Sequence, residues 1–87
     1  MISYSERARM LLADSPSTLK NKVKQLIERL DKGENFQVES LWLKHANKQA
    51  WLINVNSDIK LLYSKEGSHI TIHDIFNKDR RPYDIAR

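Results

Sequence analysis

The sequence predicts an α+β domain: an N-terminal strand, then a two-helix hairpin packed on one face of a mostly antiparallel sheet. Three observations carry that expectation. Apolar residues recur at helical spacing as far as Leu30, and at every second position beyond Phe36. Clusters bearing Asn, Ser, Asp and Gly then cut the second half into hairpin-length pieces. Eighty-seven residues suit one domain spanning 1–87, whose core is limited because so short a chain buries only a little over ~60% of its unfolded surface. Hydrophobic residues at 40% and charged residues at 30% strike a globular balance rather than a disordered one. The absence of cysteine excludes disulfides, zinc–thiolate sites and thiol nucleophiles together. No apolar run approaches the roughly 18 residues of a membrane span, and no signal-peptide core opens the chain, so a cytoplasmic domain without membrane contact is expected.

Met1–Tyr4 reads as a short strand with Ile2 and Tyr4 on one face. Ser5 then caps a helix over Glu6–Ala13, its hydroxyl accepting from an orphan amide while Glu6 suits the helix dipole. Asp14-Ser15-Pro16 breaks that helix. Ser15 as N-cap with Pro16 at the first helical position restarts one, since a first-turn proline has no amide bond to lose. Leu19, Val23, Leu26, Ile27 and Leu30 form a single stripe along this second helix, and Gly33 supplies its left-handed stop. Val38–Lys44 alternates loosely as an extended piece, and residues 45–48 read as a polar loop. Trp51, Ile53 and Val55 share one face of a strand, with Leu52 and Asn54 on the other. After the turn at Asn56-Ser57-Asp58, Ile59, Leu61 and Tyr63 alternate with Lys60, Leu62 and Ser64. A turn at residues 65–68 leads into the last strand, His69–Phe76. If the Trp51 and Ile59 sets face the helices, the opposite face carries Leu52, Asn54, Lys60 and Leu62. Nothing in the chain is then left to cover it, and Leu52 and Leu62 are expected exposed beside Lys60.

Fifteen basic residues against eleven acidic ones leave a net charge of +4. The excess lies in the second half: residues 1–43 hold seven basic and six acidic side chains, residues 44–87 eight and five. That distribution leans toward acidic partners, nucleic acid foremost. His45, His69 and His73 have no recognised metal-ligand spacing, so no metal site is expected. No Gly-rich phosphate loop, Ser-His-Asp spacing or paired-carboxylate constellation stands out. The lysines 20, 22 and 24 read as a solvated helix face, and Trp51 as core.

The order of these patterns resembles the RelE/ParE superfamily of toxin–antitoxin toxins. The resemblance rests on Ile2-Ser-Tyr-Ser-Glu-Arg-Ala8, the Pro-started helix ending Glu28-Arg-Leu30, Trp51-Leu-Ile-Asn-Val55, Ile59-Lys-Leu-Leu-Tyr63 and Ile72-His-Asp-Ile-Phe76 followed by basic residues and a tyrosine. It covers nearly the whole chain through pattern order more than through any invariant motif. It implies a compact toxin held by a cognate antitoxin polypeptide. RelE-like members cleave messenger RNA on the ribosome, and ParE-like members inhibit DNA gyrase. Carried over residue by residue, Lys60 stands where the family usually has an arginine, Arg80 or Arg81 stands for its C-terminal arginine, and Tyr83 for its terminal tyrosine. Leu52 and Asn54 depart from the pattern, because RNA-cleaving relatives place lysines between the core positions of that strand.

Cofactor-free RNA cleavage by 2′-OH attack needs a base, cations on the phosphorane charge and an acid for the 5′ oxygen. Arg80 and Arg81 suit the charge with their fixed donor forks, and Lys60 shares it as a point charge. Tyr83 would orient or stack on the nucleotide. His73, whose imidazole titrates near neutrality, is the histidine nearest the basic tail. Asn54, Lys44, Lys48 and Lys78 are read as RNA contacts. Each also has a plainer reading: Lys60 as a solvated strand residue, Arg80-Arg81 as a solvated pair or antitoxin contact, Tyr83 as a C-terminal anchor, His73 as a hydrogen-bonded sheet residue. The leading expectation is thus a RelE-like mRNA interferase of a type II toxin–antitoxin system. The alternatives are a ParE-like toxin binding DNA gyrase and a catalytically degenerate RNA-binding or regulatory module.

Overall fold

A computed structural model describes residues 1–44 and 46–79. The elements run β1 (Ile2–Tyr4), α1 (Glu6–Ala13), α2 (Ser17–Asp31), β2 (Glu39–Leu43), β3 (Lys48–Asn54), β4 (Ile59–Glu66) and β5 (His69–Asn77). They form a five-stranded sheet in the order β1-β5-β4-β3-β2. Strands β2 to β5 pair antiparallel, and β1 joins β5 in parallel, Ile2 opposite Ile70 and Tyr4 opposite Ile72. This is the α+β architecture the sequence predicts, with β2 extending the meander by one edge strand. Among the described residues, no helix is long and apolar enough to cross a membrane.

The helices start and stop for local reasons. Ser5, extended at φ −64° and ψ 160°, accepts from the Ala8 amide with its hydroxyl. The same hydroxyl donates to the His73 carbonyl at 2.7 Å, so one side chain caps α1 and ties it to β5. The start of α2 departs from expectation by one residue. Pro16 is itself the extended N-cap, at ψ 152°, and makes no side-chain cap bond. Ser15 instead closes the preceding helix, donating to the Leu11 carbonyl at 2.7 Å. A serine hydroxyl four residues after a free carbonyl serves that group as readily as a following amide. Gly33 ends α2 at φ +85°, in the left-handed region where a side chain is strained.

The main core lies between the helices and one sheet face. Val23, Leu26, Ile27 and Leu30 of α2 and Ala8 of α1 meet Ile53, Val55, Leu61, Tyr63, Ile70, Ile72 and Ile75. Each fully buried aliphatic side chain contributes about 1.5–3 kcal/mol, so the α2 stripe is what holds the hairpin down. Trp51 is half-buried against this core, its ring centroid 5.8 Å from that of Tyr63. Trp42, by contrast, is 47% exposed on the edge strand.

The reverse face corrects an expectation. Leu52 is 9% and Leu62 2% exposed; neither forms a bare apolar surface. They belong to a second cluster with Leu43, Ala50 and Phe76, against which Leu41 and Ala46 pack. Register is the reason. Leu41 lies opposite Ala50 and Glu39 opposite Leu52, so β2 turns its odd-numbered residues to this side. Phe76 opposite Lys60 closes it from β5.

Candidate functional site

Strand alternation and register decide which side chains share the reverse face. From β3 it takes Lys48, Ala50, Leu52 and Asn54; from β4, Lys60, Leu62, Ser64 and Glu66. On β5, Phe76 and Asp74 lie opposite Lys60 and Leu62, while Thr71 and His69 lie opposite Ser64 and Glu66. Between these pairs the register shifts by one residue, a β-bulge that inserts His73 into β5. The bulge sends His73 to the same side as Asp74, and its Nε2 lies 2.8 Å from the Ser64 hydroxyl.

The face therefore has three zones. At one end Lys60, with Asn54 directly across from it, stands beside the exit of β5 toward Lys78, whose amide bonds the Asp58 carbonyl at 2.8 Å. The middle is the Leu52–Leu62–Phe76 cluster. Beside it Asp74, 4% exposed, accepts from Arg7 Nε at 3.1 Å and from the Ile75 amide at 2.8 Å. At the far end lies a pocket of about 330 Å³ lined by Lys48, Ser64, Glu66, His69 and Thr71. Six residues of extended β4 separate Lys60 from Glu66, about 20 Å along the strand.

Polar contacts set the far end. His69 Nε2 lies 2.8 Å from the Ser3 hydroxyl of β1, which fixes the imidazole against the edge strand. Lys48 Nζ donates to Glu66 Oε1 at 2.9 Å. The Lys48 hydrogen bond, then its charge, and to a smaller degree His69, hold the Glu66 carboxyl below its ordinary value of 4.5. On the helix side, burial pushes the Tyr63 phenol up, so it stays protonated. Among the described residues no three histidine or carboxylate side chains gather closely enough to hold a metal ion.

The predicted site residues are thus only partly brought together. Lys60 and Asn54 form one group with Lys78 near it, and His73 and Lys48 belong to the opposite half of the face. Lys44 is exposed in the turn after β2. Arg80, Arg81, Tyr83 and His45 lie outside the described residues. Sequence reasoning missed His69, Ser64 and Thr71. The signal for them was faint: three polar residues alternating across the Gly67 turn, among the several other polar positions of β4 and β5.

No protein-family model matches the chain, and no curated protein does. Solved structures share its fold. A copper-bound point mutant of a toxin from Helicobacter pylori matches with a TM-score of 0.60 over 90% of this chain and 93% of that one, at 15% identity. The solution structure of a conserved hypothetical protein from Helicobacter pylori matches with a TM-score of 0.53 over 91% of this chain and 94% of that one, also at 15% identity. At that identity the likeness establishes the fold alone.

Proposed function

We propose that this chain is the toxin of a type II toxin–antitoxin pair and acts as a RelE-like, metal-independent endoribonuclease on messenger RNA at the ribosome. One observation carries the reading. A fold shared with a bacterial toxin turns two histidines, three hydroxyl-bearing residues and two lysines onto the sheet face away from its helices. Such a surface offers imidazoles for proton transfer together with cations for phosphate. His73 is the acid–base candidate, positioned through Ser64 and by the bulge. Lys60 supplies a cation at the other end, and the resemblance assigns Arg80, Arg81 and Tyr83 to the scissile phosphate. The chemistry asked of them is removal of the 2′-OH proton, stabilisation of the charge gathering on phosphorus and protonation of the departing 5′ oxygen.

The test is induction of the chain alone, with growth and transcript ends followed in cells. Growth arrest with new transcript ends in translated frames is expected, and each of His73→Ala, Lys60→Ala, Arg81→Ala and Tyr83→Phe should weaken it. If all four variants, shown folded by circular dichroism, arrest growth and cut transcripts like the parent, the ribonuclease reading is wrong. A second reading, ParE-like binding of DNA gyrase, is favoured by the apolar Leu52–Leu62–Phe76 zone, which occupies the centre of the face where RNA-cleaving relatives are cationic. Loss of gyrase supercoiling without transcript cleavage would select it.

The antitoxin belongs to the same proposal. With Leu52 and Leu62 closed off, its place shifts to the outer edge of β2, which pairs with no strand among the described residues and carries exposed Trp42. A short acidic polypeptide encoded beside this chain should co-purify with it, and Trp42→Asp should release it.

A further inference from the structure

We infer that the pocket lined by Lys48, Ser64, Glu66, His69 and Thr71 is a nucleobase site selective for guanine. As a substrate subsite it rests on the RNA-directed reading above; as a binding site it stands on its own chemistry. A volume of about 330 Å³ falls at the small end of the ligand-pocket range, which begins near 300 Å³. The lining argues against a simple ion. Glu66 repels a bare phosphate, and Lys48, already bonded to Glu66 at 2.9 Å, repels a cation. The two charges cancel, and what remains are hydroxyls, an imidazole and one carboxylate–ammonium pair. A neutral, planar group rich in donors and acceptors fits such a lining.

The order of donors and acceptors then selects among the bases. A carboxylate accepts two parallel N–H bonds best, and the ammonium beside it needs an acceptor next in line. Guanine alone presents that sequence on its pairing edge: an exocyclic amine, a ring N–H, then a carbonyl oxygen. Adenine and cytosine present one donor followed by an acceptor, and uracil a donor between two acceptors, so each leaves part of the pair unmatched. The depressed carboxyl of Glu66 keeps it ionised, as acceptance of two bonds requires. The floor is fixed independently of any ligand. Ser64 is 2% exposed and held by His73, and His69 is held by Ser3. An unstacked base in single-stranded RNA is the form in which such an edge is available.

The experiment titrates the intact protein with the four nucleoside monophosphates while its amide signals are followed by NMR. Guanosine monophosphate should shift Lys48, Ser64, Glu66, His69 and Thr71 and bind about ten-fold or more tighter than the other three, the discrimination of one good bidentate contact. Glu66→Gln, at a side chain 73% exposed and so outside the core, should erase the preference while the remaining spectrum stays folded. Equal affinity for all four nucleotides, no shift with any, shifts centred elsewhere or a preference that survives Glu66→Gln would each overturn the inference. Transcript mapping reads the other question separately. Cleavage without guanine preference, and with no pocket shifts, removes the base site and keeps the ribonuclease; guanine binding without cleavage does the reverse.

Discussion

Two ion pairs on the reverse face differ in what they do because they differ in burial. Asp74 is a carboxylate taken almost wholly out of water, and Arg7 reaches it from α1 past the short β1. An ionised carboxylate at that depth needs partners, so the pair ties α1 to β5 independently of the Ser5 cap. Arg7→Ala should lower unfolding stability by about 1–2 kcal/mol, a charged hydrogen bond discounted because the arginine is 44% exposed. Urea unfolding reads it, and an unmoved midpoint would mean the pair holds nothing. Lys48–Glu66 is a rim pair instead, and its effect is on titration. Because the folded carboxyl sits below 4.5, its contribution is present above that value and disappears as pH falls through the folded one. Lys48→Met removes the two largest causes. A side-chain NMR titration should then place Glu66 closer to 4.5, and a midpoint that stays put would assign the depression to His69.

At the scale of elements, legibility followed locality. The α2 stripe, the Ser5 cap, the Gly33 stop and the helix-facing set Trp51, Ile53, Val55, Ile59, Leu61 and Tyr63 are written in spacings of a few residues, and each was readable. What needed distant partners was not. The parallel seat of β1 on β5 joins residues 68 positions apart, Ile2 and Ile70. The closure of Leu52 and Leu62 depends on which residues of β2 turn inward, and a loosely alternating segment leaves that open. The bulge at Leu62/Tyr63 has no signature at all, because His-Asp-Ile reads as ordinary strand. It is nonetheless what puts His73 beside Ser64, and so the main feature of the candidate site was the least visible. The readable features carry correspondingly simple predictions. Gly33→Ala should cost about 1 kcal/mol through backbone strain, since a Cβ there meets nothing within 4 Å. Ile27→Ala, in the stripe and 1% exposed, should cost about 2–5 kcal/mol through the cavity it opens. Thermal melts order the two, and a Gly33 variant costing as much as the Ile27 one would mean the turn packs against something.

For the molecule as a whole, the +4 charge sets how it meets a polyanion, and the three-zone face sets where. Lysines stand at the two ends of that face, about 20 Å apart along the strand, with the apolar Leu52–Leu62–Phe76 zone between them. A single RNA strand lying along β4 would meet a cation at Lys60, proton-transfer groups near His73 and hydrogen-bonding side chains beyond, in that order. Affinity should then fall with salt, because each phosphate neutralised by a lysine releases condensed counterions. The slope counts those contacts where a single affinity cannot. For a short single-stranded RNA, log Kd plotted against log salt should flatten by about 0.7 on Lys60→Ala, the loss of one phosphate contact. Lys22→Ala, exposed on α2 away from the sheet, should leave the slope alone. Glu66→Gln belongs to a third class, removing the base preference with little change in slope, since it touches no phosphate. Fluorescence anisotropy over a salt series separates the three. Equal slopes for the parent and Lys60→Ala would place the RNA elsewhere on the protein, and a flattened slope for Lys22→Ala would move it to the helices.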